Sequence, residues 1–301
     1  MVNATGPWLD LLRNMEDSAC EPVTRLSKGI HVVLRPDEQW RAAVAVSLDD
    51  GQHLYAVPCE DRILLGTTEQ EYHGDPAGVA AEPEDISYLL EMASHFLRPE
   101  MLRRERVVWV FAGLRVLPRG KQATLHASRD RLLSLGPGGM VSVAGGKLTT
   151  HRRIALDALR RLPYRVRPRR LYLNDAPLPG ASPARDLYAN IDRSIADHLL
   201  HLYGSETGRL LGYSNVKDNA LERITPGAPD LWAQVYHAVR EEWALTAEDV
   251  IYRRTTLGLR GFDTPEIRQR ISPVLEAGAN TQAHGSLWLR PGTVPQPEVV
   301  D

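Results

Sequence analysis

Val141-Ser142-Val143-Ala144-Gly145-Gly146-Lys147-Leu148-Thr149-Thr150-His151-Arg152 reads as a strand that runs through two glycines into a helix. Glycines after a strand let the backbone come close to a flat ligand, and the N–H groups at the start of the following helix stabilise negative charge. Strand, glycine turn and helix in that order mark a ligand-facing junction of an α/β unit. Spacing alone leaves a second reading open, in which this is an ordinary glycine turn with Lys147 in solvent and Thr149 and Thr150 as helix caps.

Upstream of this junction the chain is rich in short β-type runs. Gly29 to Leu34, Ala42 to Leu48, His53 to Val57 and Arg62 to Thr67 are separated by turn signals such as residues 49–51, Asp-Asp-Gly. Such closely spaced strands predict an antiparallel sheet. Pro83 to Leu97 places Ile86, Leu89, Leu90, Ala93, Phe96 and Leu97 on one face, with proline and acidic residues in the first turn, and predicts a helix packed on that sheet. Arg106 to Phe111, Leu132 to Leu135 and Met140 to Ala144 predict further strands, and a helix is expected from about Leu148 to Leu162. Arg160 to Arg170 combines basic charge with two prolines and reads as a linker. Beyond a boundary near residue 175, helical patterns at Ala184 to Leu202, Asp230 to Trp243 and Glu248 to Leu257 predict a small helical unit. From about Gly278 the residues are polar and proline-bearing, and a poorly ordered end is expected.

Composition narrows the class. With 301 residues the chain is long enough for one large or about two ordinary domains. A net charge of −2 gives no global reason to bind nucleic acid. Cys20 and Cys59 are the only cysteines, and no CxxC or His/Cys cluster has metal-site spacing, so neither a structural metal nor a disulfide framework is expected. A reducing, cytoplasmic compartment is the simpler reading. No run approaches the roughly 20 apolar residues that span a bilayer.

A set of segments in fixed order carries a resemblance. AGGKLTTHRR resembles the stretch with which FAD-dependent glycerol-3-phosphate dehydrogenases close their flavin domain. Asn3-Ala4-Thr5-Gly6-Pro7-Trp8 resembles a flavin-contacting segment of that family, Ser27 to Val33 its glycine–histidine strand, and Asp61 to Glu69 its strand ending in Gly-Thr-Thr. Phe111-Ala112-Gly113-Leu114-Arg115 and Ser128-Arg129-Asp130 are similar to its two arginine motifs, and Asp249 to Gly258 to its helical C-terminal domain. The chain departs from the pattern at His151, where tyrosine is usual, at Arg131, where an aromatic or histidine often follows Ser-Arg-Asp, and at Cys59, where an aromatic is common.

The resemblance implies an α/β and α+β fold: a remnant of a Rossmann-like FAD domain over residues 1–20, an antiparallel substrate-binding domain with one helix over 21–120, a return to the FAD domain with the linker over 121–170, a helical C-terminal domain over 171–280 and a tail over 281–301. It further implies oxidation of sn-glycerol 3-phosphate to dihydroxyacetone phosphate, with hydride passing to FAD and electrons to a membrane quinone. A substrate phosphate needs fixed cations, and arginine's planar fork suits its oxygens. Arg115, Arg129 and Lys147 are the candidates, with Arg115 also catalytic. A secondary alcohol needs a base, and neutral imidazole suits that task near pH 7, which makes His31 the catalytic candidate. Thr5, Gly6, Gly113, Gly145, Gly146, Lys147, Leu148 and Thr149 are the expected FAD contacts. Without the family, His31 reads as a packing residue, Arg115 as one half of a structural ion pair and Arg129 as a surface partner of Asp130.

A Rossmann-like flavin domain holds pyrophosphate at a GxGxxG turn, and none occurs here. The expectation is a chain that begins after the first half of the flavin domain. Two readings follow: a dehydrogenase whose other half comes from an upstream start or another chain, or a silent fragment. A third makes it an oxidase of amino acids from the related flavoprotein superfamily. The basic linker is either solvated or a peripheral contact with anionic lipid at the inner face of the cytoplasmic membrane.

Overall fold

The computed structural model describes residues 1–48, 51–120, 130–167, 178, 180–181 and 191–284, with side chains as far as residue 279. The chain divides into two compact units, Met1–Asn174 and Asp175–Asp301.

In the first unit, β1 (Val2–Asn3) leads through a short 3-10 turn into α1 (Leu9–Glu16), and β2 (Thr24–Leu34), β3 (Val44–Ser47), β4 (His53–Cys59), β5 (Arg62–Gly66) and β6 (Gln70–Tyr72) follow. Then come α2 (Pro83–Ala93), the long β7 (Val107–Pro118), β8 (Arg131–Leu135), β9 (Val141–Gly145) and α3 (His151–Arg161). These strands form two sheets. The larger runs β3-β4-β5-β2-β6, with β7 also on β2, and is antiparallel at every pairing. The smaller has the order β1-β9-β8, and its β1–β9 pairing is parallel. This is the mixed α/β flavin-domain architecture with an antiparallel sheet that the sequence implied.

The large sheet is two-faced because β2 alternates. Ile30, Val32 and Leu34 point with Leu54, Ala56, Ile63 and Leu65 to the side where α2 packs Ile86, Leu89, Met92 and Ala93. Pro83 at the head of α2 and the bond from the Glu82 N–H to the Asp85 carboxylate set the start of that helix. Asp85 also holds Lys28 at 2.6 Å, pinning helix to sheet. Residues 27, 29, 31 and 33 face the other way, and they carry the site.

Asp10 joins the two sheets. Its carboxylate accepts hydrogen bonds from Arg13, from the backbone of Val23 and Thr24 and from the Thr24 hydroxyl. Burial alone would raise its proton affinity, but those bonds outweigh it and hold the carboxyl below the ordinary range. Helix α1 was not anticipated from sequence. Only Leu9 of its apolar residues is fully buried, whereas Leu11 and Met15 are 60% and 80% exposed, so no core-facing stripe announces it.

The second unit contains α4 (Arg193–Tyr203), α5 (Thr207–Leu211), α6 (Trp232–Glu241), a π-helical turn (Asp249–Arg254), α7 (Leu257–Arg260) and α8 (Pro265–His284). Asp192 caps α4 through the N–H groups of Ser194 and Ile195, which is why the helix starts there rather than at Ala184, and residues 182–190 lie outside the described ones. The helix expected over Glu248 to Leu257 is broken. Asp230, fully buried, takes both the Thr256 N–H at 2.9 Å and the Thr256 hydroxyl at 2.7 Å, so the ladder cannot pass. At the other end, α8 continues through Gly278 to His284, where a poorly ordered end was expected. Among the described residues, no helix is long and apolar enough to cross a membrane.

Candidate active site

Register places the site residues. In an antiparallel pair, opposed residues share a face. His31 lies opposite Phe111 on β7 and Gly66 on β5, Gly66 lies opposite Tyr55 on β4, Gly29 lies opposite Gly113, and Ser27 lies opposite Arg115. One surface of the large sheet therefore carries Tyr55, His31, Phe111 and Arg115 around a floor of three glycines.

Two of those glycines, Gly29 and Gly66, are seats. Arg115 does not stand straight out from the sheet but folds back over Gly29, where a Cβ would come within 2.4 and 2.6 Å of its guanidinium nitrogens. Nη2 donates to the Thr67 hydroxyl at 2.7 Å and Nη1 to the Thr68 carbonyl at 3.2 Å. Thr68 in turn accepts the Ile30 N–H on its own hydroxyl, at 3.0 Å. His31 leans over Gly66 in the same manner: a Cβ there would lie 2.4 Å from its Cδ2. Burial first, and then the Arg115 charge, push the imidazole's proton affinity below the ordinary histidine value.

Spacing follows from strand geometry. The guanidinium rests over Gly29 and the imidazole over Gly66, which lies opposite His31, two residues along β2 from Gly29; two residues of strand span about 6.5 Å. The site thus sets a fixed cation near an imidazole whose proton affinity is depressed.

The glycine–glycine–lysine junction meets this face edge-on. Gly145 and Gly146 have φ of +68° and +81°. A Cβ on Gly145 would strike the Asp130 carbonyl oxygen at 2.6 Å, and one on Gly146 the Ile154 side chain at 2.3 Å. At the neighbouring strand end, Asn3 is buried and ties β1 to α1 by donating to the Leu9 carbonyl, while its Oδ1 accepts the Thr5 hydroxyl at 2.7 Å. A cleft of about 390 Å³ opens between these elements, lined by Ala4, Gly6, Arg115 and Val143 to Gly146 with Val116 and Leu117. That volume is within the roughly 300–1,000 Å³ of small-molecule sites. Gly6 and Gly113 have open space where a side chain would be. Bare backbone on several sides of a slot with one cation at its mouth fits a flat, partly anionic ring.

Of the residues expected from sequence, His31 and Arg115 come together on the sheet face, and Thr5, Gly6, Gly113, Gly145 and Gly146 lie at or beside the slot. Lys147 lines an adjacent cleft with Asp130, Arg131 and Arg153, sharing Gly146 with the first. Leu148 and Thr149 are exposed at the helix start, and it is Thr150 that caps it, accepting the Lys147 N–H and donating to the Lys147 carbonyl at 2.9 Å. Arg129 lies outside the described residues. Arg131 pairs with Asp157 at 2.6 Å, and the exposed His151 turns Nδ1 to the Leu148 carbonyl at 2.8 Å. Sequence reading gave no role to Gly29, Gly66, Thr67, Thr68 or Phe111. The glycine–histidine and Gly-Thr-Thr motifs contained them, and pairing β2 with β5 and β7 would have brought them to Arg115.

Gly29→Ala tests the seat. A methyl group there must displace the far end of the flexible Arg115 side chain and turn aside the Thr67 hydroxyl, 2.7 Å from the added carbon, so the fold should survive while the guanidinium leaves Thr67. The expected result is an unchanged unfolding midpoint with substrate KM raised about tenfold, the scale of one charge-assisted hydrogen bond.

Comparison with known proteins gives the family. Residues 1–152 match the family described as FAD dependent oxidoreductase, and residues 172–280 the C-terminal domain of alpha-glycerophosphate oxidase. A glycerol-3-phosphate dehydrogenase of Pseudomonas aeruginosa is 32% identical over 92% of this chain and 57% of its own length. D-erythritol 1-phosphate dehydrogenase of Brucella abortus is 34% identical over 85% and 54%. The crystal structure of glycerol-3-phosphate dehydrogenase from Bacillus halodurans complexed with FAD, 27% identical, superposes with a TM-score of 0.71 over 95% of this chain and 58% of that one. The chain thus spans little more than half the length of these relatives. The two matched segments follow in the order of that family, and the chain is a member of the FAD-dependent oxidoreductase family, in its glycerol-3-phosphate dehydrogenase group.

Proposed function

We propose that the chain forms the substrate half of an enzyme oxidising sn-glycerol 3-phosphate to dihydroxyacetone phosphate, the activity named for its Pseudomonas relative. The observation that carries this reading is Arg115 folded over Gly29, two residues from the base His31. From phosphorus to the C2 hydroxyl of the substrate run four covalent bonds of about 1.5 Å. A phosphate held by Arg115 therefore leaves that hydroxyl within reach of the imidazole.

FAD, when bound, supplies the hydride acceptor. Gly6, Gly145 and Gly146 would hold its ring, and N–H groups at the helix start after Lys147 would favour negative charge there. His31, neutral because it is buried beside Arg115, takes the hydroxyl proton on a ring nitrogen as the C2 hydride departs. Arg115 keeps the phosphate fixed by charge and by its bonds to Thr67 and Thr68, and Lys147 would add positive charge from the adjacent cleft.

Arg115→Ala is expected to raise KM for glycerol 3-phosphate by about 10- to 100-fold, since hydrogen bonds to charged groups contribute roughly 1.5–3 kcal/mol. An unchanged KM removes Arg115 from the phosphate site. The function itself is tested by purifying the chain with excess FAD, alone and mixed with a polypeptide supplying the remaining length of its relatives. Yellow flavin bleached anaerobically by glycerol 3-phosphate, and not by amino acids, supports the reading. A protein that stays colourless in both preparations, or a flavin reduced only by amino acids, rejects it.

One further observation favours contact with a membrane. After α3, Tyr164 and Val166 are 91% and 65% exposed and alternate with Arg165 and Arg167, an arrangement suited to an anionic interface. Flotation with liposomes should depend on anionic lipid and on these arginines. Flotation indifferent to both dismisses this contact.

A further inference from the structure

Catalytic histidines are ordinarily aimed by a carboxylate or carbonyl that accepts one ring N–H. His31 is built differently. Among the described residues no hydrogen bond holds either of its ring nitrogens. Its ring lies parallel to Phe111, with centroids 5.1 Å apart and planes 9° from parallel. Phe111 is itself backed by Trp109, 4.8 Å away. On the other flank the imidazole edge fills the place of the missing Gly66 side chain. Beside the ring on this surface stand Arg115 from β7 and Tyr55 from β4, neither an anion, and the Glu69 carboxylate lies further along the same face, accepting from the Ser27 hydroxyl at 3.3 Å. Lys28 and Asp85 are paired on the opposite face.

We propose that Phe111 is a positioning residue that, together with the Gly66 seat, fixes the plane of the His31 imidazole in place of a carboxylate. The inference rests on the reading of His31 as the base. An offset stack restrains tilt without consuming a ring nitrogen, so both nitrogens stay available to substrate. Among the described residues no carboxylate is bonded to the ring to stabilise an imidazolium, and the neighbouring cation opposes one. Stacking and seat together thus define a neutral base whose direction comes from packing.

The test uses the full chain with isotope-labelled histidine, its His31 ring signals assigned by their loss in His31→Asn. Phe111→Leu is expected to abolish the ring-current displacement of those signals and to move the His31 titration midpoint up toward the ordinary histidine value. Phe111→Tyr, which keeps the ring, should leave both as in the parent. If Phe111→Leu unfolds, Phe111→Met removes the ring at similar volume and takes its place. His31 signals and midpoint that do not respond to loss of the Phe111 ring overturn the proposal. In the flavin-loaded enzyme, Phe111→Leu should lower kcat at least tenfold with KM nearly constant, and Phe111→Tyr should restore it. A kcat insensitive to Phe111→Leu also overturns the proposal, whereas a kcat insensitive to His31→Asn overturns the assignment of the base on which it rests.

Discussion

His31→Asn in the FAD-loaded enzyme is expected to lower kcat by about 10²- to 10⁴-fold, the usual contribution of a positioned general base. KM should change little, because Arg115 and its threonine partners remain. Asparagine keeps the polar volume over Gly66 but cannot accept a proton, so the loss reports chemistry rather than packing. The pH dependence follows from the same geometry. Because burial and the Arg115 charge depress the proton affinity of His31, kcat/KM should fall on the acid side with a midpoint below the ordinary histidine value of about 6.5. That limb should vanish in His31→Asn. The sign for stability is likewise fixed: the folded state resists protonation, so its contribution is full above about pH 6.5 and is lost as pH falls through the depressed value. Buried His237, depressed mainly by burial, adds to the same acid loss.

The second large effect belongs to the helical unit. Asp230 is fully buried and its carboxylate is shared by His198, Gln234 and both polar groups of Thr256. Burial works against the charge, but the hydrogen bonds from His198 and Thr256 prevail and keep its carboxyl below the ordinary range. Asp230→Ala strands those buried donors and should destabilise the unit by about 3–5 kcal/mol, as breaking a buried charged network does. Native-state hydrogen exchange of α4 and α6 measures it, and protection unchanged in the variant would show the network to be idle. In the parent, the Asp230 contribution is present above about pH 3.8 and is lost as pH falls through its depressed folded value.

Much of this was legible in the chain. The short β-rich runs at Gly29 to Leu34 and Arg62 to Thr67, set off by turn signals, announced strands. His31 and Arg115 were identified by the motifs around them, and Gly145-Gly146 by a turn that only glycine tolerates at positive φ. What escaped depends on cross-strand register, which no local pattern encodes. Gly29 and Gly66 are seats only because Arg115 and His31 fold back over them, and Phe111 stacks on His31 only because β2 and β7 pair in one register. The break before Thr256 escaped for a similar reason, since its cause is a carboxylate 26 residues away in sequence.

The most direct test is a crystal structure of the FAD-loaded enzyme with sn-glycerol 3-phosphate bound. Phosphate oxygens hydrogen-bonded to Arg115, with the C2 hydroxyl within hydrogen-bond reach of a His31 ring nitrogen, are the predicted result. A substrate whose phosphate sits away from Arg115, or whose carbinol carbon faces any base other than His31, would contradict the account.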